Sequence, residues 1–380
     1  MKRWQVTEAD LECIGLGAGI LGTGGGGNVY LGKLRAREAL RSGQRIEVIS
    51  PDALADDDLV IAVGGIGAPT VGVEKIEEGG ESARAVRAIE HATGKRAAAL
   101  FTDEIGGANS IEPMIAAAQL GLPVVDVDGM GRAFPELQMN TFFINGAKPG
   151  PGALADERGN TVVFQSVLSA RWLEKLARAD TVAMGCTASF ALPPMTGTQI
   201  KRFGIRNTVS QAWRLGHAVL GARAEKRDPV GEILRQEGGK LLFQGKIRDV
   251  HRWTTAGFAR GRLSLAGLGN FASSEMQIEL QNENLIARLD GETVAVVPDL
   301  ICIVDAETAR PISTEEVRYG MRVAVLGLPA SPLLRTPEAL AVIGPRAFGY
   351  DVDYRPLGDY VAPQPVEMFR ESATRLAANT

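Results

Sequence analysis

The chain has 380 residues, with 41 Lys and Arg against 45 Asp and Glu for a net charge of −4; 45% of residues are hydrophobic and 23% charged. At roughly 100–200 residues per domain this length predicts two domains, each able to bury a core. Lys and Arg are scattered rather than blocked, which excludes nucleic acid as the main partner, and no apolar run approaches the ~20 residues that span a bilayer, so no membrane partner and a cytoplasmic location are expected.

Along the chain, Thr7-Glu8-Ala9-Asp10 reads as a helix N-cap with an acid three positions on, ahead of Leu11, Ile14, Leu16 and Ile20 at helical spacing. That helix leads into Gly22-Thr23-Gly24-Gly25-Gly26-Gly27, and a second helix over Tyr30–Arg41 follows the loop. Short apolar stretches at Arg45–Ile49, Leu59–Val63, Ala97–Thr102 and Pro123–Val127 read as strands. With helices near 81–93 and 109–120 between them, they predict a parallel α/β sheet. The turn-rich Lys148-Pro149-Gly150-Pro151-Gly152 marks the region of a switch in pattern. Helical spacing returns at Ala170–Arg178 and Asn207–Ala222. From Lys240 onward short strands dominate, at Leu241–Ile247, Arg262–Leu265, Met276–Leu280, Leu285–Leu289, Thr293–Val297, Leu300–Val304 and Arg322–Leu326, with Asp290-Gly291 as a hairpin turn. The expected fold is an α/β amino-terminal domain with a mostly parallel sheet (1–165), a mainly antiparallel β carboxyl-terminal domain with a helical insertion (166–365), and a loose tail at 366–380.

Glycine is in excess, 45 residues where a usage of about 7% would give roughly 27, and it is clustered. The run Gly24, Gly25, Gly26, Gly27 with Asn28 offers backbone amides at a helix start, suited to an anion or oxyanion; a tight packed turn is the other reading. No Lys-Ser/Thr closes the run and no strand precedes it, so it is neither a phosphate-binding Walker loop nor a dinucleotide fingerprint. In a parallel α/β sheet the ligand crevice lies beyond the strand ends. Three such ends carry glycine with polar groups: Gly64–Thr70, Asp103–Ser110 and Asp128–Glu136. Asp103 and Glu104 are adjacent, so only one can face the crevice if the strand continues, and either could be a general base. Asn109 or Ser110 is the expected cap of the following helix. Asp126 and Asp128, two apart, could share a face and hold a cation or polar ligand, or form a structural bridge with Arg132. Cys13, Cys186 and Cys302 are too few and too scattered for a disulfide framework or a cysteine zinc site. Cys186 could be a nucleophile but has no nearby His, which favours a buried thiol. His91, His217 and His251 have no partners at metal-ligand spacing.

Gly22–Gly32, Asp103–Asn109 and Asp126–Glu136, with Pro298-Asp299-Leu300-Ile301 and Arg318–Val323 further on, resemble the S-methyl thiohydantoin desulfurase family, formerly filed as domain of unknown function 917. The likeness runs through nearly the whole chain, although Asn28 stands where the family commonly has Asp. It implies an α/β domain followed by a mostly β domain, and an association with hydantoin metabolism beside hydantoinase and oxoprolinase proteins. The function expected is hydrolysis of a thiohydantoin or similar cyclic amide or imide. Glu104 or Asp103 would be the base, Asn109 and the Gly24–Gly27 amides the donors, Arg132 a substrate orienter, and Asn28 and Asp128 further contacts. A divalent metal could replace the base, using Asp103, Asp126 or Asp128. The alternative is a non-catalytic or ligand-sensing partner subunit of a hydantoinase-like complex; a homo-oligomer is also compatible.

Overall fold

The computed structural model describes residues 3–72, 74–255 and 258–366, apart from the side chains at 69 and 70. Residues 367–380, most of the expected tail, lie outside the described residues. Val366, where that tail begins, is buried and donates its amide to Ser210 Oγ at 2.9 Å.

Thr7 and Asp10 form the reciprocal cap that opens helix α1 (Glu8–Leu21), and Asn28 caps α2 (Val29–Arg41) by accepting from the amides of Tyr30 and Leu31. Four strands then lie parallel in the order β2 (Glu47–Ile49), β5 (Val124–Val125), β4 (Ala99–Thr102), β3 (Leu59–Gly67). Helices α3 (Glu81–Thr93) and α4 (Glu112–Leu120) connect them, as crossovers between parallel strands must. The complete sheet is mixed, because antiparallel strands continue it on both sides: β1 (Arg3–Gln5) joins β2, while β9 (Thr187–Ala191) and the short β10 (Met195–Thr196) join β3, and β9 is followed by β7 (Gly152–Ala155) and β8 (Thr161–Phe164); β6 (Val127–Asp128) pairs apart from it with β11 (Ile205–Arg206).

Residues beyond 165 therefore complete the first sheet, with one helix packed on it and another packed on α1. Helix α5 (Ala170–Ala183) buries Leu173 and Ala177. Helix α6 (Thr208–Ala224) lies along α1, where Trp213 Nε1 donates to Asp10 Oδ1 at 2.7 Å. A third helix, α7 (Pro229–Glu237), absent from the expected elements, carries clear boundary residues: Asp228 caps it, Pro229 sits at its first turn and Gly238 closes it at φ +62°.

The last third is a seven-stranded antiparallel sheet, ordered β16-β15-β14-β13-β12-β18-β17. Its members are β12 (Lys240–Thr255), β13 (Phe258–Gly267), β14 (Glu275–Gln281), β15 (Glu283–Leu289), β16 (Glu292–Val296), β17 (Leu300–Asp305) and β18 (Arg322–Leu328). The Asp290-Gly291 hairpin has both residues at positive φ, 50° and 91°, as a type I′ turn requires. Leu285, Ile286, Leu300, Cys302 and Val304 of this sheet share a continuous core with Ile14 and Ala18 of α1, so the two units are packed against one another. Cys13 and Cys302 are buried, whereas Cys186 is only half-buried, at φ +67° after α5. Among the described residues no helix is long and apolar enough to cross a membrane.

Candidate functional site

A cavity of about 420 Å³ opens beyond the ends of β3 and β4, where the two units meet. The glycine run, the segment after β4 and the segment after β6 (Val127–Asp128) converge on it. Ala108 N donates to Gly27 O at 3.2 Å and Asn109 N to Gly26 O at 3.0 Å, so the turn at 107–110 is laid against the glycine run. Ile105 N donates to Asp128 Oδ2 at 2.9 Å, which ties the second segment to the third.

The glycine run divides between the two roles open to it. Gly26, Gly27 and Asn28 line the cavity, and no acceptor for the amides of Gly26 or Gly27 is found among the described residues. Gly24 and Gly25 turn to the second unit instead: Thr314 N donates to Gly24 O at 2.9 Å, and a side chain at Gly25 would put its Cβ 2.0 Å from Glu283 Oε1. Gly26 needs φ +83° and presses on Gly106 O, 2.3 Å from where a Cβ would sit.

Of the two adjacent acids, Glu104 reaches the cavity. Its Oε1 accepts from Asn109 Nδ2 at 2.6 Å and its Oε2 from Phe134 N at 3.1 Å. Burial pushes this carboxyl up to about 7, against the two donors and the nearby Arg132 charge, which favour the ionised form. Asn109 is held by Gly65 on both sides, accepting from its amide at 2.7 Å and donating to its carbonyl at 3.2 Å. It therefore orients Glu104 and does not cap α4, whose start has no side-chain cap. Asp103 points away, accepting from Asn140 Nδ2 at 3.0 Å, and is raised well above the ordinary carboxyl range by burial and by Glu104 and Asp128.

Asp126 and Asp128 do not form a joint site. Asp126 accepts from Val209 N, Ser210 N and Ser210 Oγ at the start of α6. Asp128 accepts from the amides of Ile105, Met130 and Gly131, and burial raises it to about 7. Arg132 pairs with neither. Fully buried, it donates to the carbonyls of Ala133, Asp299 and Asn284 and to Thr23 Oγ1, joining the glycine run to the second unit behind the cavity. It does not line the cavity, so a substrate-orienting role there has no contact to act through. Among the described residues no three His, Cys, Asp or Glu side chains come together as metal ligands.

Several cavity residues have no counterpart in the three glycine-containing segments. Asn282 comes from the turn between β14 and β15, and Glu283 is the first residue of β15. The signal that could have found them is Gln281-Asn282-Glu283-Asn284, four consecutive polar residues, all buried, interrupting an apolar strand pattern. Glu283 is 3% exposed; burial, and then the Glu104 charge, raise its carboxyl well above the usual range. The outer half carries cations that are already engaged. Arg35 pairs with Glu112 at 2.8 Å and with Glu77, while Lys75 Nζ donates to Met184 O and Thr187 O and pairs with Glu157. Leu31, Leu34 and Ile76 form an exposed apolar rim at the mouth.

The family model for the S-Me-THD-like N-terminal domain matches residues 9–166, and that for the S-Me-THD-like C-terminal domain matches residues 168–357. The chain belongs to the S-Me-THD-like family. The three converging segments all lie within the N-terminal match, and Asn282 and Glu283 within the C-terminal one, so the cavity is built by both S-Me-THD-like domains. A crystal structure of a protein from Chromobacterium violaceum has the same fold, with a TM-score of 0.77 and 24% identity over 93% of this chain and 100% of that one. No curated protein matches this S-Me-THD-like chain.

Proposed function

We propose that the chain is a hydrolase acting on a thiohydantoin or a similar five-membered cyclic amide, with Glu104 as the base that activates water. The observation that carries this reading is Glu104 itself: a buried carboxyl at the cavity wall, fixed at both oxygens by Asn109 and Phe134 N, and raised to about 7, where it can accept a proton near neutral pH. Family membership supports the ring as substrate class. The cavity volume suits a small molecule, and its cations are engaged by protein acceptors, which favours a neutral ring over a strong anion. Attack on an sp² ring carbon develops negative charge, and the Gly26 and Gly27 amides are donors at the cavity wall suited to receive it.

The test is steady-state turnover of a methylthio-hydantoin by the purified chain. Glu104→Gln is expected to lower kcat by roughly 10²–10⁴, while Asp103→Asn, away from the cavity, keeps near-normal turnover. Normal turnover in Glu104→Gln would remove the base from this mechanism.

A further inference from the structure

We infer that Glu283, supplied by the second domain, is the general acid of this site, acting on the same substrate ring as Glu104. The inference rests on the hydrolase reading above and deepens it. Glu283 lines the same cavity as Glu104, and its Oε2 is buried with no hydrogen-bond partner among the described residues. A buried carboxyl oxygen left without a partner costs stability unless something uses it, and this carboxyl stands in the wall of the cavity that a ligand would fill. The Glu283 carboxyl also occupies the space a side chain at Gly25 would take, so the glycine run makes room for this acid.

The surroundings separate the two carboxyls. Burial raises both, but Glu104 has two donors and the Arg132 charge to favour its ionised form, whereas the negative charges of Glu104 and Glu315 add to burial in favouring the protonated form of Glu283, against Arg132 and its own backbone amide. Two carboxyls pushed apart in this way take the roles of base and acid. For a methylthio-hydantoin the steps balance as follows. Water gives one proton to Glu104 as its oxygen bonds to the ring carbon bearing sulfur. The C=N π pair moves onto the ring nitrogen, which takes the proton of Glu283. The added hydroxyl then returns a proton to Glu283 as C=O forms and the C–S bond breaks, and methanethiolate takes the proton held by Glu104. Hydantoin and methanethiol leave, and both carboxyls return to their starting states.

The experiment compares unsubstituted protein with Glu283→Gln and Glu104→Gln in rate–pH profiles on methylthio-hydantoin, with infrared spectra of the protonated-carboxyl C=O stretch. The expected result is a kcat lower by roughly 10²–10⁴ in Glu283→Gln, with KM little changed, the alkaline limb flattened and the band at neutral pH diminished. In Glu104→Gln the acid limb should flatten instead. A change of less than about threefold in kcat with the alkaline limb intact would overturn the assignment. Gln has the shape of the protonated carboxyl, so folding should be preserved. If it is not, the band can be followed in the unsubstituted protein: loss in step with the alkaline limb supports the assignment, and absence of the band at neutral pH overturns it. Unsubstituted protein that is inert toward methylthio-hydantoin would overturn the substrate reading, while a band removed by Glu283→Gln would still support a protonated acid at this position.

Discussion

Asn109 donates to Glu104 Oε1 at 2.6 Å while its own amide group is clamped by Gly65 at both its oxygen and its nitrogen. The donor is thereby fixed by β3, the acid by the loop after β4, and their geometry is set by two neighbouring strands. A base held in this way loses little freedom on binding substrate.

Removing that donor has a directional consequence. Asn109 favours the ionised carboxylate, so Asn109→Ala should carry Glu104 above about 7 and move the acid limb of the rate–pH profile toward higher pH. A shift of one unit corresponds to roughly tenfold less active base well below the limb. Rate–pH profiles measure this; an unmoved limb in a folded variant would show that the bond does not tune the base.

Stability should depend on pH in the opposite sense to that of a salt-bridged acid. Glu104 moves from 4.5 to about 7 on folding, so between those values the native state keeps a proton that the unfolded chain has released. Stability is then lost as pH rises through that window. Glu104→Gln, which cannot ionise, should leave stability near pH 4 little changed and raise it above pH 7 by an amount on the order of 1–3 kcal/mol. Urea unfolding across this range measures the difference, and equal effects at both ends would contradict it.

Gly25 and Gly26 should fail differently when substituted. Gly26→Ala sets a Cβ against Gly106 O at a backbone φ of +83°, and is expected to cost about 2–4 kcal/mol with no local escape. Gly25→Ala meets the Glu283 carboxylate, a side-chain end, so a smaller loss of roughly 1–2 kcal/mol should accompany a larger fall in turnover as Glu283 is displaced. Thermal unfolding together with kcat separates the two; turnover unchanged in Gly25→Ala would detach Glu283 from the chemistry.

Arg132→Lys should lose stability rather than substrate affinity. Lysine has no fork to serve the carbonyls of Ala133, Asp299 and Asn284 and the Thr23 hydroxyl at once. A loss of about 3 kcal/mol or more is expected by urea unfolding. A stable variant with only KM raised would restore the orienting role.

The amino-acid sequence by itself determined the local elements and much of one side of the site. The Thr7 cap, the helix at 81–93, the Asp290-Gly291 turn and the strand end before Asp103 depend on periodicity and on residues near in sequence, so they could be read directly, whereas β3 runs four residues past the expected Val63 because Gly64–Gly67 pair with β9. The meeting of Asp103–Asn109 with Asp128–Glu136 followed from the rule that parallel strands open their crevice at one end, whereas the glycine run, between two helices, is brought to them by tertiary packing. Only the tertiary structure decided which acid faces the cavity, that Asp128 and Arg132 serve the scaffold, and that Glu283 completes the wall. The physical reason is that a buried charge acquires its role from the groups packed around it. Those around Arg132 come from Thr23, Asn284 and Asp299, and Glu283 meets Gly25 across more than two hundred residues of chain, distances over which neither residue spacing nor strand alternation carries information.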